Sequence, residues 1–569
     1  CLRETFGLYK NTYGIYESYE CATCRQMEAP SPPPPLLSSP SVSNHPTWWW
    51  LMLDLKVIVG LAAVTLTLYV VDFYRRLRSY PPGPMPLPFI GNIHQLRGPS
   101  PLFEKAIVWS KKYGDPLTIW IGARPLVIAN TKQSFRDIAG PHRNNLGGRM
   151  QTNLGDLQKR GFEDIVCSDL NPAWDVLRKV THVALRKYAK TEELANLVAE
   201  QVDREIGRLP LPKENEARSE PAHSIDSSMC NEAAWPFVDF AGNIINNIMA
   251  VSAFGEGFQR GDSDYDAFCN NRKLIEKEGA NGLPSDLHPM LGLLLFSKER
   301  KLRKTIRDVQ ALIDKLFETA LKTHSTGTNR HFIDTLLNAR AQFVAEDRSA
   351  GRYLSDGNVR QAVLDIFVAA TDTTRAIISF GLLHLANEPQ LQEDLRAEVL
   401  DVLGHDKVCQ LNDRDRLVRL DAFIQEVIRF YPPAPFAIPR RALVDVEVNG
   451  RPIPRDTGVF TNLFAVNRDT DVWGQDAREF RPERFLNVTK DQLQQGFNSF
   501  GIGSRACPGE KMALANILYV FARVLQRVRL RCASGAGSAD LSYCDSDILL
   551  LVRRNQDIRF SLLTSQSSP

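Results

Sequence analysis

The feature that most restricts how this chain can fold is a single cysteine in a glycine-rich stretch near its C-terminal end. Residues 497–516 read FNSFGIGSRACPGEKMALAN, with glycines at positions 501, 503 and 509 around Cys507. Glycine allows a tight turn in which backbone N–H groups approach the sulfur closely. An apolar-rich helical pattern, EKMALANILYVFARVLQRV, follows at once, and the N-terminal dipole of such a helix favours a thiolate. The stretch therefore predicts a negatively charged sulfur held at the start of a helix.

This arrangement suits a metal ligand better than a structural cysteine. A thiolate binds soft or borderline metals, including haem iron, and Arg505 stands where it can meet an anionic group such as a haem propionate. A structural cysteine would act only as a small apolar residue, which accounts for neither the three glycines nor the arginine. The ten cysteines of the chain include no zinc-like double pair. They therefore predict no disulfide scaffold and a mostly reducing environment.

A long apolar run near the N-terminal end predicts a membrane anchor. Residues 48–71 read WWWLMLDLKVIVGLAAVTLTLYVV, and a helix of that length measures about 36 Å, enough to cross a bilayer. The three tryptophans suit the membrane interface, and arginines at 75, 76 and 78 favour a cytosolic C-terminal side. Asp54 and Lys56 interrupt the run, so a buried core helix is the alternative. The segment YPPGPMPLP that follows favours the anchor, because it can act as a stiff spacer before a soluble domain.

The remaining chain predicts one large, mainly helical domain with a smaller β-rich part. Helical patterns such as WDVLRKVTHVALRKYA dominate, residues 211–235 are typical of a surface loop, Asn449-Gly450 predicts a hairpin turn, and residues 548–552 predict a strand. The net charge of +3 gives no reason to expect a nucleic-acid partner. We expect an irregular segment at 1–47, the anchor at 48–71, a basic and proline-rich linker at 72–88, the main domain at 89–560 and a tail at 561–569.

Residues 500–509 resemble the haem-binding signature of the cytochrome P-450 monooxygenases. That signature is F-x-x-G-x-R-x-C-x-G, and its fixed positions are filled by Phe500, Gly503, Arg505, Cys507 and Gly509. The resemblance covers roughly residues 81–560. It implies the cytochrome P-450 fold, mainly α with a smaller β-rich region, preceded by one transmembrane helix. It also implies heme b as the cofactor, with its iron bound by the thiolate of Cys507 and with Phe500, Arg505 and Gly509 in the cofactor-binding set.

A glutamate–arginine pair precedes this signature. Glu426 and Arg429 lie three residues apart in EVIRF and can pair on one face of a helix. Such pairs are common on surface helices, but FRPERF follows at 480–485, as a similar motif does in the family. The resemblance implies a buried structural network of Glu426, Arg429 and Arg484, with Arg481 as the second choice for the third member.

A further family motif, W-x-x-x-R, is filled by Trp174 and Arg178. A tryptophan and an arginine four residues apart more often form a surface stack, but the position of this pair upstream of the other motifs supports the resemblance. It implies that both side chains point toward a haem propionate. It also implies that Arg440, in AIPRRAL, makes a further propionate contact.

The stretch AATDTT lies within a long, mostly apolar helical pattern that Ser355 or Asp356 is expected to cap. Buried polar groups need partners, and an ordinary solution is a threonine hydroxyl that donates to a carbonyl one turn earlier. The family pattern A/G-G-x-D/E-T-T implies instead that Asp372 and Thr373 help to deliver protons during oxygen activation. Ala370 stands where the family usually has glycine.

The resemblance implies a monooxygenase that inserts one oxygen atom of O2 into a lipophilic substrate. Segments 148–170, 365–373 and 435–440 are expected to border the pocket, and their many apolar positions suit a lipophilic molecule. The nearest branch is the steroid 17-alpha-hydroxylase/17,20-lyase group, which favours a steroid; a fatty acid or a foreign compound is the alternative. A non-catalytic haem sensor is the alternative from another class, and the intact Asp372-Thr373 pair argues against it.

The implied electron donor is NADPH, which acts through a membrane-bound flavoprotein reductase, with cytochrome b5 as a further partner. Basic residues of the helix after Cys507, such as Lys511 and Arg523, are candidates for the reductase contact. The resemblance places the protein in the endoplasmic reticulum membrane as a single-pass protein in contact with lipid, with a cytosolic catalytic domain.

Overall fold

The computed structural model describes residues 48–96, 98, 100–209, 232–255, 263–279, 282–287, 289–533 and 557–563. The chain divides into two units, residues 1–67 and residues 68–569. Helix α1 (Trp48–Arg76) makes up the described part of the first unit and continues into the second. The predicted strand at 548–552 lies outside the described residues.

The described chain is mainly helical. The helices after α1 are α2 (Ile93–Leu96), α3 (Leu102–Tyr113), α4 (Lys132–Ala139), α5 (Asn153–Lys159), α6 (Pro172–Tyr188), α7 (Glu192–Ile206), α8 (Phe237–Phe254), α9 (Ser263–Gly279), α10 (Pro284–Leu287), α11 (Pro289–Leu294), α12 (Phe296–Thr323), α13 (Phe332–Glu346), α14 (Asp356–Asn387), α15 (Pro389–Leu403), α16 (Val418–Phe430), α17 (Leu463–Val466), α18 (Thr470–Trp473), α19 (Lys490–Gly496) and α20 (Glu510–Arg527). The strands are β1 (Leu117–Ile121), β2 (Arg124–Ala129), β3 (Gly148–Arg149), β4 (Glu232–Pro236), β5 (Arg440–Arg441), β6 (Val446–Val448), β7 (Arg451–Ile453), β8 (Gly458–Thr461), β9 (Val528–Cys532) and β10 (Asp557–Leu562).

Helix α14 passes through the main core and packs against α8, α20 and α16. Ser355 caps its N-terminus, because its side chain accepts a hydrogen bond from the Asn358 N–H. Helices α8 and α14 carry apolar residues on nearly every side, which is expected of helices surrounded by protein. The expectation of a cap at this end of α14 is confirmed for Ser355.

The strands form three small sheets. The largest has the order β1-β2-β8-β5-β3, in which β2 and β8 run parallel and the other neighbours run antiparallel. Strands β6 and β7 form the predicted hairpin, with Asn449 and Gly450 both at positive φ, as a tight two-residue turn requires. The third sheet has the order β4-β10-β9.

Two predicted boundaries are corrected by the third sheet. Residues 211–235 were expected to form a loop, but residues 232–235 belong to β4, where Trp235 pairs with Ile558 of β10. The tail was expected to start at residue 561, but Ser561 and Leu562 still pair within β10. Both corrections arise because the pairing partners lie far apart in the sequence, where local patterns give no signal.

The sequence predicted that residues 72–88 form a stiff spacer outside the main domain, but most of this segment is folded against that domain. Helix α1 extends through it to Arg76, supported by an ion pair of 3.0 Å between Asp72 and Arg76. Phe73 is fully buried and its ring meets that of Trp120 edge-on, with 5.2 Å between the centroids. The carbonyl of Pro82 accepts a hydrogen bond of 3.3 Å from the Thr118 N–H. Most of this segment is therefore part of the folded domain.

Three helical segments of the described chain are long and apolar enough to cross a membrane, by length and composition alone. They are residues 56–79 and the helices α8 and α14. The best window of the first segment has a mean hydropathy of 2.0 and is only 6% buried, whereas those of α8 and α14 are 78% and 72% buried. The two buried helices therefore belong to the core, and in the first segment the part before Phe73 is the part available to lipid.

Candidate active site

An internal cavity with an empty volume of about 1540 Å³, including its mouth, lies beside the cysteine loop. Its walls come from α6, α14, the start of α20 and the loops that precede β5 and α20. A space bordered by a cysteine, by arginines and by many apolar side chains has the groups that a cofactor and a lipophilic molecule would contact. The three segments expected to border the pocket contribute Arg149, Ile165, Asp365, Thr373 and Ile438.

The cysteine loop folds back on itself within the signature. The N–H of Cys507 donates to the carbonyl of Phe500 at 2.7 Å, which closes the loop. Gly501 and Gly503 have φ values of 70° and 76°, where side chains are strongly disfavoured. A Cβ atom on Gly503 would also lie 2.7 Å from the carbonyl oxygen of Ala139. The two glycines therefore let the loop turn tightly against the neighbouring backbone.

The thiol of Cys507 faces the cavity and is open to it, although protein surrounds the loop. Burial raises the pKa of Cys507, and the N–H groups of Gly509 and Glu510 together with the Arg178 guanidinium counteract that shift only in part. Gly509 is the N-cap residue of α20, and a Cβ there would make only an ordinary van der Waals contact with Sγ, at 3.9 Å. A thiolate here calls for a cation in the cavity, which a haem iron would provide.

Four arginines line the cavity beside the cysteine: Arg149, Arg178, Arg440 and Arg505. Burial, followed by the charges of the other three arginines, lowers the pKa of Arg505 to about 8. Burial likewise lowers the pKa of Arg440 to about 10. One terminal nitrogen of Arg440 and one of Arg505 have no hydrogen-bond partner among the described residues. Buried positive charge with unused donors fits a ligand that carries two carboxylates, as haem does.

The indole ring of Trp174 packs against the guanidinium groups of two of these arginines. The guanidinium of Arg505 lies 4.4 Å from the centre of the indole ring and that of Arg178 lies 5.3 Å from it. The indole N–H donates to the carbonyl of Ile165 at 3.2 Å, and Arg178 donates to the carbonyl of Ala506. The two residues of the W-x-x-x-R motif thus connect α6 to the cysteine loop.

Arg149 is a member of the cluster that sequence reasoning missed. Its guanidinium donates to the carbonyls of Val166 at 2.7 Å and Ile438 at 2.9 Å, and burial lowers its pKa to about 10. The available signal was an arginine that follows two glycines within the predicted pocket segment 148–170. It could not be separated by sequence alone from the surface arginines around it.

Helix α14 brings Thr373 to the cavity but turns Asp372 away from it. The hydroxyl of Thr373 donates to the carbonyl of Ala369 at 2.8 Å, one turn earlier. The carboxylate of Asp372 accepts from Arg272 of α9 at 2.6 Å and pairs with Arg375 at 3.3 Å. Consecutive helical residues point about 100° apart, and here Thr373 lines the cavity whereas Asp372 is directed to Arg272. The structure thus brings Thr373 and Cys507 together, without Asp372.

The glutamate–arginine network is assembled behind the cavity. Glu426 and Arg429 are unexposed and pair at 2.6 Å, and Arg484 reaches the same carboxylate at 3.0 Å. Arg429 also donates to the carbonyls of Asn467 and Ala477, both at 2.8 Å. Between the two arginines considered for the third position, Arg484 is the buried one.

Arg481 and the two basic residues of α20 have different environments. The side chain of Arg481 is 53% exposed and pairs with Asp476, while its backbone N–H donates to Glu426. Lys511 is exposed. Arg523 is buried and pairs with Asp203, so its expected contact with a reductase is wrong: its charge is already engaged inside the fold.

Comparison with known proteins gives one family. The family model for Cytochrome P450 matches residues 81–556. Rat cytochrome P450 1A1 is 30% identical over 462 residues, covering 80% of this chain and 85% of the relative. The steroid 17-alpha-hydroxylase/17,20 lyase of the catfish Ictalurus punctatus is 27% identical over 80% of this chain and 86% of its own length.

The fold agrees with a solved structure of that family. A zebra fish cytochrome P450 described with progesterone superposes with a TM-score of 0.66 and 23% identity, covering 81% of this chain and 99% of that chain. The predicted fold, mainly helical with a small β region, is confirmed. This chain belongs to the cytochrome P450 family of haem-thiolate monooxygenases, whose haem is bound through a cysteine.

Proposed function

We propose that this protein is a membrane-anchored monooxygenase that inserts one oxygen atom of O2 into a steroid-like lipophilic substrate. The observation that supports this most strongly is one cavity that combines Cys507, four arginines of which three are buried, Thr373 and an apolar wall. A thiolate ligand, a binding site for two carboxylates and space for an apolar molecule are the parts that this reaction needs.

In this proposal Cys507 is the iron ligand, and the arginine cluster holds the haem carboxylates. Arg440 and Arg505 each offer an unused donor, while Arg149 and Arg178 add positive charge nearby. Trp174 fixes the orientation of Arg178 and Arg505 from the side away from the cavity. Phe500 and Gly509 shape the two ends of the loop that presents the sulfur. The bound haem supplies the oxygen-activating chemistry.

Thr373 is the proposed site of proton delivery in the cavity wall. Its hydroxyl proton points to the carbonyl of Ala369, so its free lone pairs can accept a hydrogen bond from a water in the cavity. Asp372 is held by two arginines and can contribute only when its contact with Arg272 opens. The Thr373 hydroxyl would therefore position the proton carrier, and Asp372 would resupply protons from outside the cavity.

The substrate space has an apolar wall formed by Ile366, Ala369, Ala370, Ile377 and Ile438. A lipophilic molecule fits such a wall. We propose a steroid first because one relative is named a steroid 17-alpha-hydroxylase/17,20 lyase and aligns over 80% of this chain. Fatty acids and foreign compounds are the competing substrates, and a non-catalytic sensor is the competing class.

The proposed anchor is the apolar run 48–71 of α1, whose described side chains are exposed or half-buried, whereas the two other apolar helices are buried. The arginines at its C-terminal end favour the cytosol for the catalytic domain, in the endoplasmic reticulum membrane. Electrons from NADPH would arrive through a flavoprotein reductase, with cytochrome b5 as an additional donor. Lys511, exposed on the helix that follows the cysteine, remains a candidate for that contact.

The experiment is reconstitution of the purified full chain with haem, a NADPH-dependent reductase and lipid vesicles. Steroids, fatty acids and planar aromatic compounds are first screened by the spectral shift that each produces, and the binders are then incubated with NADPH. Steroid hydroxylation that depends on NADPH, reductase and O2 supports the proposal. Turnover restricted to another compound class refutes the steroid assignment, and a normal haem spectrum with no turnover of any binder supports the sensor.

A further inference from the structure

A buried asparagine of α8 has a side-chain carbonyl oxygen that no described residue satisfies. Asn246 is only 2% exposed, and its amide nitrogen makes one long contact, of 3.6 Å, with the sulfur of Cys269 on α9. Within the described chain its Oδ1 accepts no hydrogen bond. A buried acceptor without a donor is costly and uncommon, so this oxygen calls for an explanation.

Helix α9 connects this asparagine to the ion pair of Asp372. Cys269, which Asn246 contacts, and Arg272 are three residues apart and therefore neighbours on the surface of α9. Arg272 donates to the Asp372 carboxylate at 2.6 Å. The unsatisfied oxygen therefore lies one helical turn from the arginine that holds Asp372.

Helix α8 gives the same location from the other side. Gly242, one turn before Asn246, packs against Arg375 of α14, because a Cβ at position 242 would lie 3.3 Å from Cδ of Arg375. Arg375 is the second cation of Asp372, at 3.3 Å. Residues four apart share one face of a helix, so Asn246 lies at the junction of α8, α9 and α14.

The carboxylate of Asp372 can supply protons to the cavity only after Arg272 releases it. Its side chain is 24% exposed, so solvent can protonate it, but the two arginines direct it away from Thr373. Taking a cation away from a partly buried carboxylate without another acceptor is costly. A neutral carbonyl oxygen within reach of the guanidinium lowers that cost, because hydrogen bonds to charged groups are the stronger ones.

We propose that Asn246 is a positioning residue that accepts the Arg272 guanidinium when this group leaves Asp372, and that it thereby regulates proton supply. This inference rests on the proposed function and adds its regulation. The released carboxylate takes a proton from solvent and passes it to the water that Thr373 positions. A neutral acceptor suits a reversible exchange, because a second carboxylate in its place would retain the guanidinium.

A purely structural role is the competing explanation. The Asn246 carbonyl would then only bind a buried water molecule within the core. That role predicts that a change at position 246 has the same effect on stability whether or not the Asp372 carboxylate is present.

Urea unfolding of the haem-loaded full chain separates the two roles without any turnover. Asn246→Leu alone should leave the urea midpoint unchanged or raise it, because an unsatisfied oxygen is replaced by an apolar group of similar size. In the Asp372→Ala variant, Arg272 is expected to turn to Asn246. There the same Asn246→Leu change should lower the midpoint, because it removes the remaining acceptor.

Asn247→Leu is the matched control. Asn247 is also buried, and its Oδ1 likewise accepts no hydrogen bond from the described residues. It points about 100° away around α8, and its amide nitrogen donates to the carbonyl of Asn243 at 3.2 Å. We expect the effect of Asn247→Leu on the midpoint to be independent of Asp372.

The second measurement is product formed per NADPH in the reconstituted system. Asn246→Leu should make the released state of Asp372 about tenfold rarer, the value of one hydrogen bond to a charged group, and product per NADPH should fall several-fold. In the Arg272→Gln variant, Asn246→Leu should cause no further fall, because the contact that must open is already absent.

Two results overturn the proposal. One is an equal shift of the urea midpoint by Asn246→Leu with and without the Asp372 carboxylate. The other is unchanged product per NADPH in Asn246→Leu, which decides the question even if the Asp372→Ala variants do not fold. Absence of product with every substrate counts instead against the proposed reaction, and the unfolding comparison then still tests the exchange of Arg272 between its two acceptors.

Discussion

Cys507 and Thr373 face one cavity, but each depends on different neighbours for its chemistry. The Cys507 thiolate depends on the backbone N–H groups of its own loop and on the iron of a bound haem, because burial opposes ionisation of the thiol. The hydroxyl of Thr373 already has a hydrogen-bond acceptor in the carbonyl of Ala369, one turn earlier. A change at Cys507 should therefore alter the haem itself, and a change at Thr373 should alter only what the haem does.

Cys507→His should abolish the red-shifted band of the ferrous–carbon monoxide complex, because imidazole lacks the negative charge of a thiolate. The ferrous–carbon monoxide spectrum of the purified variant measures this directly. Cys532→Ser is the matched control, since that half-buried thiol donates to Asn387, a contact that a serine hydroxyl can replace. Survival of the band in Cys507→His would show that another residue is the ligand.

Thr373→Val should keep haem content and substrate binding while product formed per NADPH falls several-fold and peroxide rises, because the hydroxyl that positions the proton carrier is gone. Thr371→Val is the matched control: Thr371 makes the same kind of bond, to Phe367 at 2.6 Å, but is buried and does not line the cavity. We expect Thr371→Val to cost about 0.5–1.5 kcal/mol of stability and to leave coupling unchanged. Equal coupling in Thr373→Val and the wild type would return Thr373 to a structural role.

The ten-residue signature could be interpreted from sequence because its glycines, arginine and cysteine act within one local loop. Arg149 and Asp372 show the limit of that reasoning. Arg149 is part of the cluster only because β3 lies next to β5, whose Arg440 is nearly 300 residues away along the chain. Asp372 was grouped with Thr373 by motif, but the face of α14 that it occupies meets Arg272 instead. The pairing of distant strands decided the position of Arg149, and the direction of the side chain decided the contacts of Asp372.

At the scale of elements, local turn chemistry was informative and distant pairing was not. Asn449-Gly450 and Ser355 were identified because a tight turn and a helix cap are each specified by two or three neighbouring residues. Strand β4 was missed because it is defined by its pairing with β10. The network of Glu426, Arg429 and Arg484 lies between these cases: α16 supplies two members, and the 3-10 turn Pro482–Phe485 brings the third from a distant segment.

Arg484→Ala should destabilise the domain strongly, because it leaves the buried Glu426 carboxylate with one fewer cation and removes bonds to surrounding carbonyls. Breaking a buried ion pair typically costs about 3–5 kcal/mol. Urea unfolding monitored by the haem absorbance measures the change. Arg481→Ala is the control, since its exposed side chain pairs only at the surface, where about 0–1 kcal/mol is expected. Similar losses in both variants would argue against a network centred on Arg484.

At the scale of the whole molecule, one helix contains both the proposed anchor and the first residues of the catalytic domain. Helix α1 begins at Trp48 and ends at Arg76, and its last turns carry Phe73 into contact with Trp120. The apolar pattern alone predicted a helix that stops at Val71, because Asp72 and the arginines interrupt the hydropathy. The helix continues because Phe73 is fully buried against Trp120, and the exposed ion pair between Asp72 and Arg76 adds little. The boundary between the proposed anchor and the domain therefore lies before Phe73, not after the prolines.

The catalytic domain should be digested when protease is added outside sealed microsomes that contain the full chain. The arginines at the end of α1 favour the cytosolic side for that end in the proposed topology, and this side is the outer face of microsomes. Immunoblotting for a C-terminal tag follows the digestion, and a lumenal marker protein reports that the vesicles stay sealed. A protected catalytic domain with an intact marker would show the opposite topology.

Two truncations test where the domain begins. A chain that starts at residue 68 keeps Phe73, which is fully buried against Trp120, whereas a chain that starts at residue 81 loses it. Burial of one phenylalanine side chain contributes about 1.5–3 kcal/mol, so we expect the shorter chain to bind haem but to unfold at a lower urea concentration. Phe73→Ala in the longer chain should reproduce most of that loss, whereas Tyr74→Phe, which keeps the ring contact with Phe73 and removes only the weak hydroxyl bond to Pro86, should not. Equal stability of the two truncated chains would mean that Phe73 contributes nothing to the core and that the segment 72–80 is a spacer after all.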